Sequence, residues 1–199
     1  MFSKKTSSSS IPFILASSSP RRLALLKDIG ITPSKVIAAD IDETPEKAEL
    51  PRDLAKRLSS EKLRAVMTKN PKAYVLAADT VVAVGRRILP KAENPKEVAE
   101  CLRLMSGRKH HVYTGVALGT PEGKVLSRVV DSAVTFHALS AKDIAAYVES
   151  DEGIGKAGGY AIQGRAAAHI RFIAGSYSNI VGLPLFEVAQ MLRGSGFEW

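Results

Sequence analysis

Apolar runs of strand length alternate with helical patterns along the chain, and this alternation is typical of an α/β domain. Six runs predict strands: PFILAS, KVIAA, YVLAADTVVAVG, HHVYTGVALG, RVVDSAVTFHAL and HIRFIAG. The sequence TPEGK joins the fourth and fifth runs and indicates a β-hairpin, whereas helical patterns separate other neighbouring runs. Because both hairpins and helices connect the strands, the pattern predicts a mixed sheet rather than a purely parallel one.

Five segments have the spacing of amphipathic helices. They begin after Ser19, at Pro51, at Pro95, at the weak capping box of Ser140 and Asp143, and in the last third of the chain, where the final helix ends near Arg193. In the second helix the apolar stripe runs through Leu54, Leu58 and Val66. Lys62 is predicted to lie off that stripe.

Length and composition restrict the class of protein. A chain of 199 residues with 45% hydrophobic content can bury one sizeable core, so we expect a single domain over residues 12–199. Residues 1–11, which are serine-rich and basic, are expected to form a disordered tail. The lone cysteine, Cys101, excludes a disulfide framework and indicates a reducing, cytoplasmic location. No run approaches the roughly 18 apolar residues of a membrane span.

The formal charge of +8 is consistent with three explanations: nucleic acid, a small polyanion such as a nucleotide, or solubility. Basic residues are spread among acidic ones from Lys27 to Arg193 without an arginine-rich tract. Aromatic residues make up only 6% of the chain, so stacking platforms for single strands are scarce. The distribution favours phosphate binding over a dedicated nucleic-acid module.

The stretch ILASSSPRR places two cations where a helix dipole favours anions. Ser19 followed by Pro20 predicts an N-cap and a first helical residue, so Arg21 and Arg22 fall in the first turn. A helix N-terminus binds phosphate through its free N–H groups, and arginines beside it would add bidentate donors. The alternative is that both arginines point into solvent.

Carboxylates occur at two unusual places. Asp79 interrupts the apolar run VLAADTVVAV, where an unpaired carboxylate would be costly to bury. It therefore needs a cation or a role, unless the strand ends there and the aspartate is solvated. Asp40, Asp42 and Glu43 follow another short strand and suit Mg²⁺ or Mn²⁺, although such a segment is also typical of a solvated acidic turn. The four histidines show no metal-ligand spacing, and His110 is interpreted as a hydrogen-bonding residue.

Seven segments, in order and at compatible separations, resemble the Maf family, also called septum-formation-protein homologues: LASSSPRRLALL, ADIDET, EKLRA, AADTVV, SGRKHHVYTGVAL, KAGGYAIQG and GSYSNIVGLPL. The resemblance implies a mixed α/β fold with two lobes around a cleft, similar to the inosine triphosphate pyrophosphatases. It implies hydrolysis of nucleoside triphosphates to the monophosphate and pyrophosphate, with a divalent metal such as Mg²⁺ or Mn²⁺. It also suggests a homodimer.

The resemblance assigns roles to particular residues. Asp79 matches the proton acceptor that activates water, and it joins Glu43 at the metal site. Lys62 and Lys91 match catalytic positions beside the triphosphate, although from local sequence alone either could be an ordinary surface lysine. The substrate-binding positions are Ser17, Arg21, Arg22, Thr80 and Gln163.

The segment YAIQG resembles the branch of the family that acts on dTTP and UTP. The amide of Gln163 offers a donor and an acceptor that match the O4 and N3–H edge of uracil or thymine, although a structural role in a glycine-rich loop is the alternative. The other branch, which acts on 7-methyl-GTP, is the second candidate activity.

Two departures from the family pattern affect loop geometry. Ala92 follows Lys91 where the family often has proline, and AADIDE carries one extra residue relative to some relatives. The second departure leaves open whether Asp42 or Glu43 is the principal metal ligand.

A protein of a different class would be a non-enzymatic regulator that binds nucleic acid or a division protein through a vestigial pocket. The chain keeps chemically competent residues at the matched positions, which argues against that alternative. These residues are Arg21, Arg22, Lys62, Asp79 and Lys91.

Overall fold

The computed structural model describes residues 11–199, so the predicted tail, apart from Ile11, lies outside the described residues. The strands are β1 Phe13–Ala16, β2 Lys35–Val36, β3 Tyr74–Val84, β4 Arg87–Leu89, β5 Lys91–Ala92, β6 Lys109–Gly119, β7 Val125–Phe136, β8 Lys156–Ala157 and β9 Ile170–Ala174. The helices are α1 Pro20–Asp28, α2 Pro51–Met67, α3 Pro95–Met105, α4 Ala141–Val148, α5 Tyr177–Val181 and α6 Leu185–Gly194, with a 3₁₀ turn at Arg165–His169. The predicted α/β class is therefore confirmed.

The main sheet has the strand order β2-β1-β3-β6-β7-β9, with β4 beside the second half of β3. β1 pairs in parallel with β2 and β3, whereas the β3–β6, β6–β7 and β7–β9 pairs are antiparallel. This confirms the predicted mixed sheet and the β6–β7 hairpin. The short strands β5 and β8 form a separate antiparallel pair.

β3 runs without a break through Asp79 and Thr80, so the alternative of a strand end at that point is wrong. β1 pairs with β3 only as far as Ala77, and β4 begins to pair at Val82. Between these two positions the edge of β3 that faces β1 and β4 is open, among the residues that the structure describes. Successive side chains of a strand point to opposite faces, so Asp79 and Thr80 project to the two sides of this opening.

Helix α2 packs against the face of the sheet that carries Asp79. It approaches β6 closely at Gly115, where an added Cβ would lie 2.1 Å from the carbonyl oxygen of Ala55. The buried face of α2 includes Lys62, which is 8% exposed. The prediction that Lys62 lies off the buried stripe was wrong, because one turn after Leu58 the helix returns to the same face whatever the residue type.

The predicted capping box is confirmed, since helix α4 begins with the reciprocal bonds of Ser140 and Asp143. At the start of α3 the side chain of Asn94 forms a cap that the sequence analysis did not predict. Cys101 is buried as a small apolar residue of α3, and burial raises the pKa of its thiol to about 11. Among residues 11–199 no helix combines the length and the apolar character needed to cross a membrane.

Candidate active site

A cleft of about 550 Å³ opens where β3 lacks a neighbouring strand. The end of β1, the start of α1, the middle of β3, the β5–β8 pair and the turn after α5 line it. All nine residues proposed from the sequence line this one cleft: Ser17, Arg21, Arg22, Glu43, Lys62, Asp79, Thr80, Lys91 and Gln163. The fold thus brings together side chains that are up to 146 positions apart in the sequence.

Asp79 and Lys62 form a buried ion pair at the floor of the cleft. The Lys62 Nζ donates to Asp79 Oδ1 at 2.5 Å, and both side chains are only 10% exposed. The same Nζ contacts Glu43 Oε1 at 2.6 Å, and the Glu43 side chain is 53% exposed. The cation that Asp79 requires is therefore Lys62, which the pattern of α2 did not indicate.

Glu43 lies in an irregular segment that Arg57 fastens to α2. The Arg57 guanidinium donates to both Glu49 carboxylate oxygens at 2.8 Å and to the Thr44 carbonyl at 3.0 Å. These bonds hold the pKa of Glu49 below its ordinary value and raise that of Arg57. Asp42 instead accepts from the Thr44 N–H at 2.9 Å and does not line the cleft. Of the two candidate ligands, the fold therefore turns Glu43 toward Asp79.

Arg22 links three segments of the site. Its Nε donates to the Gly182 carbonyl at 2.8 Å, one terminal nitrogen donates to Ser17 Oγ at 3.0 Å, and the other donates to Thr80 Oγ1 at 3.1 Å. Burial lowers the pKa of this guanidinium, and the nearby charge of Asp79 opposes that shift. The alternative that Arg22 points into solvent is therefore wrong. Its hydrogen bonds to Gly182, Ser17 and Thr80 make it a structural clamp as well as a residue that lines the cleft.

Arg21 is less constrained than Arg22. Its only hydrogen bond within the described residues is a long one, 3.4 Å from Nε to the Val181 carbonyl. Burial lowers the pKa of its guanidinium. Both arginines thus reach carbonyls at the C-terminal end of α5, where a helix dipole favours cations. This contact offsets their unfavourable position at the start of α1 and leaves most of the Arg21 donors available to an anion.

The N-terminus of α1 also faces the cleft. Ser19 occupies the predicted N-cap position, and Pro20 is the first helical residue. The Ser19 side chain makes no capping hydrogen bond, so that part of the prediction is wrong. The buried Ser17 Oγ instead accepts from the Ser19 N–H at 3.2 Å and shapes the turn.

The β5–β8 pair supplies a further cation that sequence reasoning missed. Lys91 pairs with Ala157, and the half-buried Lys156 is the next residue on the facing strand. Burial lowers the pKa of the Lys156 ammonium, and the positive charges of Arg21 and Lys91 lower it further. Lys156 also lines the cleft. Its position in the segment KAGGYAIQG was the one available sequence signal, but a single lysine in a glycine-rich loop gives no local indication of a site.

Gln163 lines the cleft from the turn segment that follows β8. Its side chain is exposed, whereas the neighbouring Tyr160 and Ile162 are buried and also line the cleft. The amide is therefore presented beside an apolar surface of a kind that suits a planar ring.

The donor set of the site fits a hard divalent cation. Glu43 and Asp79 both contact the Lys62 Nζ, so their carboxylates converge on one point of the cleft. No group of three or more His, Cys, Asp or Glu side chains within residues 11–199 is arranged to hold a metal by itself. Magnesium commonly uses one or two carboxylates and completes its shell with waters and substrate phosphates. The pair thus fits an ion that arrives with a phosphate-bearing ligand.

Several known proteins are similar to this chain. The family model described as Maf-like protein matches residues 12–195. A protein of Rhodospirillum rubrum named dTTP/UTP pyrophosphatase is 55% identical over 95% of this chain and 90% of its own length. A protein of the same name from Paramagnetospirillum magneticum is 57% identical over 92% of this chain and 97% of its own. Among solved structures, the Ham1 protein of Staphylococcus aureus gives a TM-score of 0.46 at 15% identity, covering 62% of this chain and 71% of its own.

Proposed function

The chain belongs to the Maf-like protein family, and on that premise we propose that it hydrolyses dTTP and UTP to the nucleoside monophosphate and pyrophosphate. Relatives with 51% to 57% identity that carry the name dTTP/UTP pyrophosphatase support this substrate class. The observation that carries the proposal is the buried carboxylate of Asp79 in a cleft whose other charged side chains, apart from Glu43, are cations. A proton acceptor surrounded by positive charge suits attack of water on a polyanion.

The reaction is a displacement at the α-phosphorus. A water oxygen forms a bond to that phosphorus while the bond to the oxygen bridging the α- and β-phosphates breaks, so pyrophosphate leaves. Asp79 accepts the proton that the water loses. The Lys62 ammonium, 2.5 Å from Oδ1, pairs with this carboxylate and orients it in a buried setting, where an unpaired charge would be costly.

The cations of the cleft bind the rest of the triphosphate. Arg21, Lys91 and Lys156 compensate the negative charge that grows on the departing pyrophosphate, and the first N–H groups of α1 donate to phosphate oxygens. Arg22 holds Ser17 and the turn at Gly182 in place around them. Binding of an anion also relieves the mutual repulsion of the cations.

Glu43 and Asp79 would hold a divalent cation, Mg²⁺ or Mn²⁺, together with oxygens of the substrate. When bound, the ion supplies positive charge that stabilises the phosphate oxygens. Because Glu43 is more than half exposed, it can leave the Lys62 ammonium for such an ion without opening the core.

Gln163 reads the pyrimidine. Its amide pairs with the O4 and N3–H edge that uracil and thymine share. Cytosine reverses that donor and acceptor pattern, so where the amide and the polar groups around it are held in one orientation, each buried polar group left unpaired costs about 1–3 kcal/mol. We therefore expect UTP and dTTP to be accepted and CTP to be rejected.

The test is the measurement of kcat/KM for UTP, dTTP, CTP and 7-methyl-GTP at one concentration of Mg²⁺ or Mn²⁺. We expect turnover of UTP and dTTP well above the other two, and Gln163→Ala should narrow the gap between UTP and CTP. Absence of turnover by the purified protein would favour a regulator. Preference for 7-methyl-GTP or CTP would contradict the assigned substrate class.

The cytoplasmic location, the homodimer and the absence of a nucleic-acid partner stay predictions from the sequence. The basic residues that line the cleft have a role in the proposed reaction without nucleic acid. Sedimentation of the full chain would test the dimer.

A further inference from the structure

The turn segment that carries Gln163, residues 160–163, is anchored from inside the protein by a buried aromatic group. The Tyr160 side chain is 7% exposed, and its hydroxyl lies 2.9 Å from Nε2 of the fully buried His110 on β6. The rings of His110, Phe136 and Tyr160 meet edge to face, with centroids 5.1–5.4 Å apart. This packing fixes the start of the segment against the main sheet.

A second tyrosine holds the backbone of the same segment. Tyr147 on α4 is 3% exposed, and its hydroxyl accepts from the Ala161 N–H at 3.0 Å. The proposed reaction gives neither tyrosine a role at the phosphates. Each instead places a hydroxyl at the end of a buried ring, which stiffens the segment from below.

The other end of the segment is fixed by an acid. Glu152 accepts from the Arg165 N–H at 2.7 Å, and an added Cβ at Gly164 would lie 2.2 Å from the same carboxylate. The backbone on both sides of Gln163 is therefore held, although the Gln163 side chain itself is exposed.

A glutamine amide does not by itself distinguish uracil from cytosine. Rotation of the amide by half a turn exchanges its donor and acceptor, so a free glutamine would match either base. Discrimination requires neighbouring polar groups that cannot turn over, such as backbone N–H and C=O groups in a fixed segment. Only a rigid surrounding leaves the wrong base with unpaired groups.

We propose that Tyr147 and Tyr160, the latter through His110, are positioning residues for base selection, because they fix the backbone of residues 160–163 beside the pyrimidine. The inference rests on the proposed function, in which Gln163 contacts the base. It assigns substrate choice to hydroxyl groups beneath the loop that do not touch the phosphates.

The test is the ratio of kcat/KM for UTP to kcat/KM for CTP in Tyr147→Phe. This ratio is independent of the fraction of enzyme that is folded, so a purely structural effect does not change it. Loss of one hydrogen bond from the segment should lower the ratio roughly threefold to tenfold, mainly because CTP turnover rises relative to UTP turnover. Tyr160→Phe should lower it in the same direction.

Tyr74→Phe is the matched control. Tyr74 is also a buried tyrosine, and its hydroxyl donates to a backbone carbonyl, but that carbonyl belongs to Ser195, at 2.8 Å, and not to the segment 160–163. We expect this variant to lose a similar amount of stability and to keep the wild-type ratio. The inference would be overturned if Tyr147→Phe and Tyr160→Phe gave the same ratio of kcat/KM for UTP to kcat/KM for CTP as Tyr74→Phe.

Gln163→Ala separates failure of this inference from failure of the proposed function. If Gln163→Ala lowers the ratio and both Tyr147→Phe and Tyr160→Phe leave it unchanged, the base contact stands and the positioning role is wrong. If Gln163→Ala also leaves the ratio unchanged, the base contact itself is wrong.

Discussion

The part of the cleft around Asp79, called the phosphate end, and the part around Gln163, called the base end, are built in different ways. At the phosphate end, the central pair of charges projects from two long regular elements, since Lys62 of α2 meets Asp79 of β3 at 2.5 Å with both side chains buried. At the base end, the neutral amide of Gln163 is exposed on a turn, and its surroundings are fixed by buried hydroxyls such as that of Tyr147. Charge placement dominates one end, and backbone rigidity dominates the other.

The difference indicates what each end has to do. Stabilising charge during a reaction requires groups that are already oriented and desolvated, which regular elements provide. Telling two similar bases apart requires that a polar pattern stays fixed, which a turn achieves only when it is fastened. Changes at the phosphate end should therefore alter rate and stability, whereas changes at the base end should alter the ratio between substrates.

The largest expected effect is that of Asp79→Asn. The asparagine keeps an oxygen for the Lys62 ammonium but cannot accept the proton of water, so kcat should fall on the order of 10²- to 10⁴-fold while nucleotide binding persists. Steady-state kinetics and calorimetric titration with a non-hydrolysable analogue measure the two quantities. Asp53→Asn, at an exposed position of α2, is the control. Near-normal turnover in Asp79→Asn would contradict the assignment.

Arg22→Ala should mainly affect stability. It removes three hydrogen bonds made by one half-buried cation, although Ser17 and Thr80 keep other partners, so the free energy of unfolding should fall by roughly 2–3 kcal/mol. Arg21→Ala removes only one long hydrogen bond, and we expect it to weaken triphosphate binding with little loss of stability. Urea unfolding and binding titrations of both variants separate the roles. Similar stability losses in the two would contradict the division.

The buried histidine beneath the base end, His110, should make the free energy of unfolding depend on pH. Burial, with a smaller contribution from His111, lowers the pKa of His110 from 6.5 to about 4. As the pH is lowered from 6.5 to 4, the unfolded chain therefore takes up a proton that the folded chain does not bind. The free energy of unfolding falls over this range by about 1.4 kcal/mol per pH unit, or about 3 kcal/mol in total. His110→Gln should remove this slope from the urea unfolding profile. An unchanged slope would show that other groups cause the acid destabilisation.

The smallest effect is expected at Lys156. Its ammonium lies half-buried beside the charges of Arg21 and Lys91, and a triphosphate compensates that repulsion. Lys156→Gln should raise KM for UTP about threefold to tenfold with little change in kcat, and the difference should shrink at high salt. Lys142→Gln, at an exposed position of α4, serves as the comparison. An equal change in KM in both variants would contradict the assignment of Lys156 to the triphosphate site.

The sequence predicted the longer elements because local patterns determine them, whereas the short strands β4, β5 and β8 and the short helix α5 were not predicted. The capping box at Ser140 and the strand run around Asp79 could be identified from adjacent residues alone. The partners of Asp79 and Arg22 could not, since Lys62 comes from another element and the Gly182 carbonyl lies 160 positions away from Arg22. Periodicity finds which face of a helix is apolar, but it does not find a lysine whose buried charge is matched by a strand elsewhere.

The resemblance to the Maf family indicated most of the charged and polar residues of the cleft, which hydrophobic periodicity did not indicate. It did not indicate Lys156, whose significance depends on the pairing of β5 with β8. Nor did it indicate Tyr147, which lies on α4 and whose hydroxyl accepts from the Ala161 N–H in the segment 160–163. Such residues act through the folded geometry, so they become visible only when distant segments are seen side by side.

The clamp made by Arg22 also bears on the order in which the protein folds. Its bond to Gly182 joins residues 160 positions apart. Contacts of such sequence separation form late because a long loop must close first. The wall of the cleft at Gly182 is therefore added in a late step of folding, after helices and hairpins whose contacts are close in sequence.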